Sequence, residues 1–165
     1  TGYTTAWRQV AGVGVYNNAS GNIDNFGCRG EGRLRFVKWI DDSVHEVGAG
    51  LGSTSNVQLS TGTAAPPTAT DIVLRCAIFD ARFVSTAGYC IIQISSMRDG
   101  GSTYNGAVGA HAGTTAATAG TNYSSGYPVA LTPSGGLIYK LALGGTGGLS
   151  TNPGYIYGMG YWCEG

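Results

Sequence analysis

Glycine is distributed through this chain so that long helices have almost nowhere to form. Its 29 copies among 165 residues punctuate the sequence in pieces such as Gly12-Val13-Gly14, Gly144-Gly145 and Gly158-Met159-Gly160. A glycine in a helix interior costs about 1 kcal/mol relative to alanine. Between the glycines the apolar residues come in short runs bounded by Gly, Ser, Thr, Asn and Pro, and helical periodicity is almost absent. Short alternating runs between turn-forming clusters predict an all-β domain.

Read in order, the runs predict roughly eight strands. In 7–16, Ala11, Val13 and Val15 alternate with Gly12 and Gly14, a pattern suited to close backbone approach. A polar turn follows over 17–27. In 33–40, Leu34, Phe36 and Ile40 face one way and Arg33, Arg35, Val37 and Trp39 the other. Asp41-Asp42 breaks this run, and 44–47 is its expected hairpin partner. A short strand is expected over 56–60, then a loop stiffened by Pro66-Pro67. The runs 71–84 and 89–96 read as two apolar strands joined as a hairpin through 85–88. The last strands are expected over 137–143 and 154–163. In the closing strand, strict alternation puts Tyr155, Tyr157, Met159 and Tyr161 opposite Ile156, Gly158, Gly160 and Trp162.

Residues 97–126 read as one long Gly-, Ala- and Thr-rich loop, with a weak helix signal near 110–119. A loop of that length in a compact domain is usually functional or covered by a partner. The chain shows no fixed-period repeat and no boundary. The expected architecture is therefore a single domain over 1–165, an antiparallel sandwich of jelly-roll-like form.

Charge narrows the function. Asp, Glu, Lys and Arg make up 11% of residues, with 9 basic and 9 acidic side chains, against a usual charged share of about 25%. A nucleic-acid binder needs a basic patch that displaces counterions, and a membrane-surface protein needs a polybasic one. Neither nucleic acid nor membrane insertion is expected. A hydrophobic fraction of 42% and ten Tyr contradict disorder. A neutral surface also protects poorly against association, a hint of an oligomer or larger assembly. Thr1 is small enough to follow a removed initiator Met, and no charged-then-apolar leader precedes the first run. Synthesis in a cytoplasm is the corresponding expectation. Cys28, Cys76, Cys90 and Cys163 are scattered, and reduced, buried thiols are expected ahead of disulfides.

The chain offers little to build a catalytic centre from, and no enzyme activity is expected. His45 lies in a strand-like setting and His111 among Gly and Ala, where a structural imidazole is the ordinary reading. No nucleophile-elbow, zinc-protease or C-x-x-C pattern occurs. Asp41 and Asp42 would diverge if they were in a strand, and at a strand end they are turn chemistry. Asp24, Glu31, Glu46, Asp80 and Asp99 would have to converge in three dimensions to hydrolyse a glycan. Asn18, Ser20, Asn22 and Asp24 are spaced loosely like a calcium loop, with a single carboxylate among them. No metal, cofactor or catalytic residue is assigned. The aromatic residues are the better lead. Tyr104, Tyr123 and Tyr127 lie in or beside the long polar loop, where they would either pack that loop or contact a partner or ligand.

Two segments carry a likeness to a known class. The run Gly135-Gly136-Leu137-Ile138-Tyr139-Lys140-Leu141-Ala142-Leu143-Gly144-Gly145 and the terminal Tyr155-Ile156-Tyr157-Gly158-Met159-Gly160-Tyr161-Trp162-Cys163 resemble the small all-β virion proteins of tailed bacteriophages. These include tail-fibre tips, receptor-binding heads and capsid-decorating proteins, which often end in a Gly- and Tyr-rich strand within a trimer. The resemblance implies a homotrimeric, non-enzymatic virion component, assembled in the host cytoplasm against other virion proteins. It transfers no functional residue to a numbered position. The alternatives are a carbohydrate-binding module that takes a host surface glycan on the loop tyrosines, and a polysaccharide-degrading enzyme built from the scattered carboxylates.

Overall fold

A computed structural model describes residues 7–10, 13–16, 26–30, 33–40, 45–79, 81–84, 88–97, 107–112, 122–131, 136–144 and 148–164, with backbone alone for 7–10, 13–16, 107–112 and 122–127. The strands are β1 (Trp7–Val10), β2 (Val13–Tyr16), β3 (Phe26–Arg29), β4 (Leu34–Trp39), β5 (Glu46–Leu51), β6 (Val57–Ser60), β7 (Ala69–Ile78), β8 (Gly88–Ser96), β9 (Ala107–Ala112), β10 (Asn122–Ala130), β11 (Gly136–Gly144) and β12 (Gly154–Glu164). All described pairings are antiparallel, and no α-helix occurs among the described residues.

The larger sheet runs β10-β7-β12-β4-β3, with β5 also on β12, and the smaller runs β6-β11-β8-β9. Strand β7 pairs along one edge of β12, while β5 and β4 share the other edge end to end. The chain crosses between sheets at β5–β6, β6–β7, β7–β8, β9–β10, β10–β11 and β11–β12. An order of β4/β5, β12, β7, β10 facing β6, β11, β8, β9 is the double Greek-key wrapping of a jelly roll. The all-β sandwich expected from the glycine-punctuated runs is therefore the fold.

Alternation places the core. On β7, Ile72, Leu74, Cys76 and Ile78 are fully buried. From the smaller sheet Cys90, Ile92, Ile94, Leu137, Tyr139 and Leu141 join the same buried cluster. One corner is closed by polar contacts: the Trp39 indole Nε1 donates to the Ala64 carbonyl at 2.9 Å, and its ring stacks on His45 at 3.9 Å. His45 Nδ1 lies 2.9 Å from the Thr63 carbonyl, and the Gly158 amide donates to the His45 carbonyl at 2.8 Å. His45 is thus a core residue of the fold.

The closing strand departs from strict alternation. Gly158 pairs with Leu74 and Gly160 with Val73, so Met159 has no opposite number on β7. This β-bulge reverses the faces of everything after it. Ile156 and Tyr161 are both fully buried, whereas Tyr155, Tyr157 and Trp162 are half-buried. Tyr161 therefore does not share a face with Tyr155 and Tyr157, and Trp162 does not share one with Ile156. The flanking glycines make room: a Cβ on Gly158 would meet Ala64, and one on Gly160 would meet the Val37 carbonyl.

Other expectations are corrected in the same way. The run 7–16 is a hairpin, β1 against β2, rather than one strand. Strand β3 begins inside the expected polar turn. Strand β5 pairs with β12, not with β4. Strands β7 and β8 lie in different sheets, so the link between them is a crossing and not a hairpin; within it Phe83 bridges Leu149. The stretch 97–126 contains β9 and the start of β10, and the helix signal falls partly on β9, which pairs with β8. Small residues explain that miss, because Ala and Gly read as loop until a neighbouring strand supplies the partner groups.

Candidate recognition face

The outer surface of the larger sheet gathers large side chains that the interior does not use. Antiparallel register sets two rows across it. One runs Arg29, Phe36, Trp162 and Asp71, and the next runs Gly27, Lys38, Gly160 and Val73. Phe36 and Trp162 are direct cross-strand neighbours, with ring centroids 5.0 Å apart and planes tilted by 37°. Gly160 carries no side chain, and the Phe36 ring lies over that gap, within 3.0 Å of where a Cβ would stand. Further along β12, Tyr155 meets Phe79 edge to face at 5.0 Å and lies nearly parallel to Tyr157 at 6.4 Å. The Arg75 guanidinium sits 4.9 Å from the Tyr157 ring centroid, a cation–π distance.

This face is apolar as well as aromatic, and it is open. Leu34 is 50% exposed and Ile40 71% exposed, both on the Phe36 side of β4. Two clefts flank the Phe36–Trp162 pair, each of about 310 Å³. The first is lined by Gly27, Arg29, Phe36, Lys38, Trp39 and Ile40. The second is lined by Leu34, Asp71, Pro128 and Trp162. Both are at the small end of the usual range for ligand sites, roughly 300–1,000 Å³.

A second exposed apolar group lies elsewhere. Val84 is 65% exposed and Tyr89 46% exposed. The Val84 amide donates to the Gly148 carbonyl at 2.9 Å, and Tyr89 pairs with Gly144, so both flank the corner that follows β11. This patch belongs to the smaller sheet and its links.

Of the residues singled out from sequence, Tyr123 lies opposite Ala77 and Tyr127 opposite Leu74 on β10, at the edge of the larger sheet. Tyr104, Asp24, Glu31, Asp41, Asp42, Asp80 and Asp99 lie outside the described residues, as do Asn18, Ser20 and Asn22. His111 pairs with Tyr89 on β9. Glu46 and Asp71 are on different strands flanking β12, opposite Tyr157 and Trp162 respectively. Among the described residues no three His, Cys, Asp or Glu side chains converge as metal ligands do. All four cysteines are unbridged, and Cys28 is exposed, unlike the buried thiols expected. Burial pushes the Cys76 thiol up to about 12 and the Cys90 thiol to about 11, so both stay protonated and unreactive at neutral pH.

Sequence reasoning missed the Phe36–Trp162 pair. The alternation of β4 correctly grouped Leu34, Phe36 and Ile40, but both faces of that strand carry large apolar side chains. Nothing local says which face is covered. Comparison with protein families, with curated proteins and with solved structures returns no match.

Proposed function

We propose that this chain is a non-enzymatic structural domain displayed on the surface of a tailed-bacteriophage particle, as a capsid-decorating protein or at a fibre tip. A displayed domain needs one surface by which it is held and another that it presents. The observation that carries the reading is the separation of its exposed apolar side chains into two such patches, Val84 with Tyr89, and Leu34 with Ile40 beside Phe36 and Trp162. Exposed apolar patches on a folded domain mark interaction sites. The jelly roll agrees by analogy, being common in viral capsid and lectin domains. In this reading the Val84–Tyr89 corner is the assembly contact of a homotrimer, and the outer face of the larger sheet is presented.

Mass spectrometry of purified particles tests the class: the chain is expected among the virion proteins, and its absence overturns the proposal. Light scattering tests the assembly. A trimer is expected that Val84→Glu dissociates and Ile40→Glu leaves intact, and a stable monomer at micromolar concentration contradicts it.

A second reading, a carbohydrate-binding module, is favoured by the same outer face. Aromatic rings flanked by clefts offer a sugar both a stacking surface and polar partners. That platform is on the sheet, and the two readings are compatible if the presented face is what meets the host.

A further inference from the structure

The first cleft has features the rest of the face lacks. Its floor is Gly27 on β3, where a Cβ would meet no atom within 4 Å. Gly27 pairs with Lys38 and Arg29 pairs with Phe36, so a missing side chain on one strand leaves a notch framed by two cations and a ring. Arg29 and Lys38 are both exposed. Ile40 adds an aliphatic wall, and Trp162 lies just beyond Phe36. Across that ring pair, the second cleft presents Asp71, an acceptor for hydroxyl groups.

We infer that this notch binds the carboxylate of an acidic glycan, with neighbouring sugar rings laid across Phe36 and Trp162 toward Asp71. The inference rests on the reading of the outer face as the surface presented to the host. An Arg and a Lys facing one small cavity match a carboxylate, which the guanidinium can take with two parallel hydrogen bonds. The C–H faces of a sugar ring suit an aromatic wall, and its hydroxyls supply the donors that Asp71 accepts. From β3 to β7 the face spans three interstrand steps, about 14 Å, room for a few linked sugars. A protein partner fits less well. Charged side chains are depleted at the core of protein interfaces because covering them without a counter-charge is costly. An acidic glycan brings that counter-charge together with its own hydrogen-bonding groups.

The test uses the full chain, with calorimetric titration of tetragalacturonate, its methyl ester and maltotetraose. Tetragalacturonate is expected to bind, more weakly as salt rises. The methyl ester and the Lys38→Gln variant should each lose about tenfold in affinity. Gly27→Leu is the sharper variant, because open space above the glycine lets a side chain fill the notch while the strand remains intact. It should abolish binding with an unchanged unfolding midpoint. Equal affinity for acid and ester, or binding that survives Gly27→Leu, overturns the notch while leaving a recognition face in place. No binding of any of the three glycans overturns the inference outright. Failure of the virion reading shows separately, as absence of the chain from particles.

Discussion

The two faces of the larger sheet are made by the same strands and follow opposite rules. Toward the smaller sheet the side chains are fully covered, the aliphatic Ile72, Leu74, Ile78 and Ile156 beside the rings of Trp39 and Tyr161. Toward the outside they are aromatic and charged, as at Phe36, Trp162, Tyr157, Arg75, Lys38 and Asp71, and remain partly open. The interior face is filled to a fixed volume. The outer face is ordered by pairwise contacts that each contribute little to stability, about 0.2–1 kcal/mol per cross-strand pair. Stability therefore resides chiefly on one side of the sheet, and the proposed recognition surface is on the other.

Deleting Met159 alone would close the bulge and leave Tyr161 inward and Trp162 outward, whereas deleting Met159 and Gly160 together attacks the distinction itself. With two residues fewer and no bulge, Tyr161 would fall opposite Val73 and turn outward and Trp162 would fall opposite Ile72 and turn inward, exchanging the two faces at the end of β12. The expected outcome is loss of the folded state, read as loss of near-UV circular dichroism and of a cooperative unfolding transition. A double deletion that folds with native stability would show that the bulge does not set the faces.

Adjacent residues of β12 provide a milder contrast. Ile156→Ala leaves a hole between the sheets and should cost about 2–5 kcal/mol in urea unfolding. Tyr157→Ala on the outer face should cost about 1 kcal/mol, chiefly its contact with Arg75. Equal losses would dissolve the comparison.

Alkaline pH reaches the interior face through the buried thiols of Cys76 and Cys90, and comparison with a variant that lacks one of them isolates its part. Cys76 and Cys90 ionise near 12 and 11 when folded against an ordinary 9.0, because burial disfavours the thiolate. Above pH 9 the unfolded chain therefore binds fewer protons than the native one, and stability falls as pH rises. The contribution is complete below about pH 9 and declines by about 1.4 kcal/mol per pH unit for each thiol until the native thiol ionises. At pH 10 the pair should account for about 3 kcal/mol, and Cys76→Val should remove about half of that decline. Denaturant titrations of both proteins at pH 8 and pH 10 make the measurement, and identical pH profiles would contradict the burial argument.

The smallest effect is expected outside. Ile40→Ser, at a 71% exposed position, should change stability by less than about 0.5 kcal/mol. A larger loss in the isolated chain would mean that the outer face contributes to the core.

Much of the fold was legible from sequence because strand-forming runs and turn clusters are local signals. Runs such as 33–40, 56–60 and 137–143 coincide closely with β4, β6 and β11. The candidate face was not legible. Phe36 and Trp162 are 126 positions apart (162 minus 36), and only the pairing of β4 with β12 makes them neighbours. The loop tyrosines drew attention because they stood among small residues. Phe36 did not, because it stood in a strand with large apolar side chains on both sides.

The sequence by itself determined the class of structure. Glycine at close intervals and short apolar runs exclude helices and require sheets, since those preferences act within a few residues. Only the tertiary structure decided which strands meet, which face of each is covered and where the faces reverse. The pairing of β5 with β12, the crossing from β7 to β8 and the bulge at Met159 each depend on a partner strand far away in the chain. A side-chain period of two tells a strand it has two faces, and burial against a second sheet chooses between them.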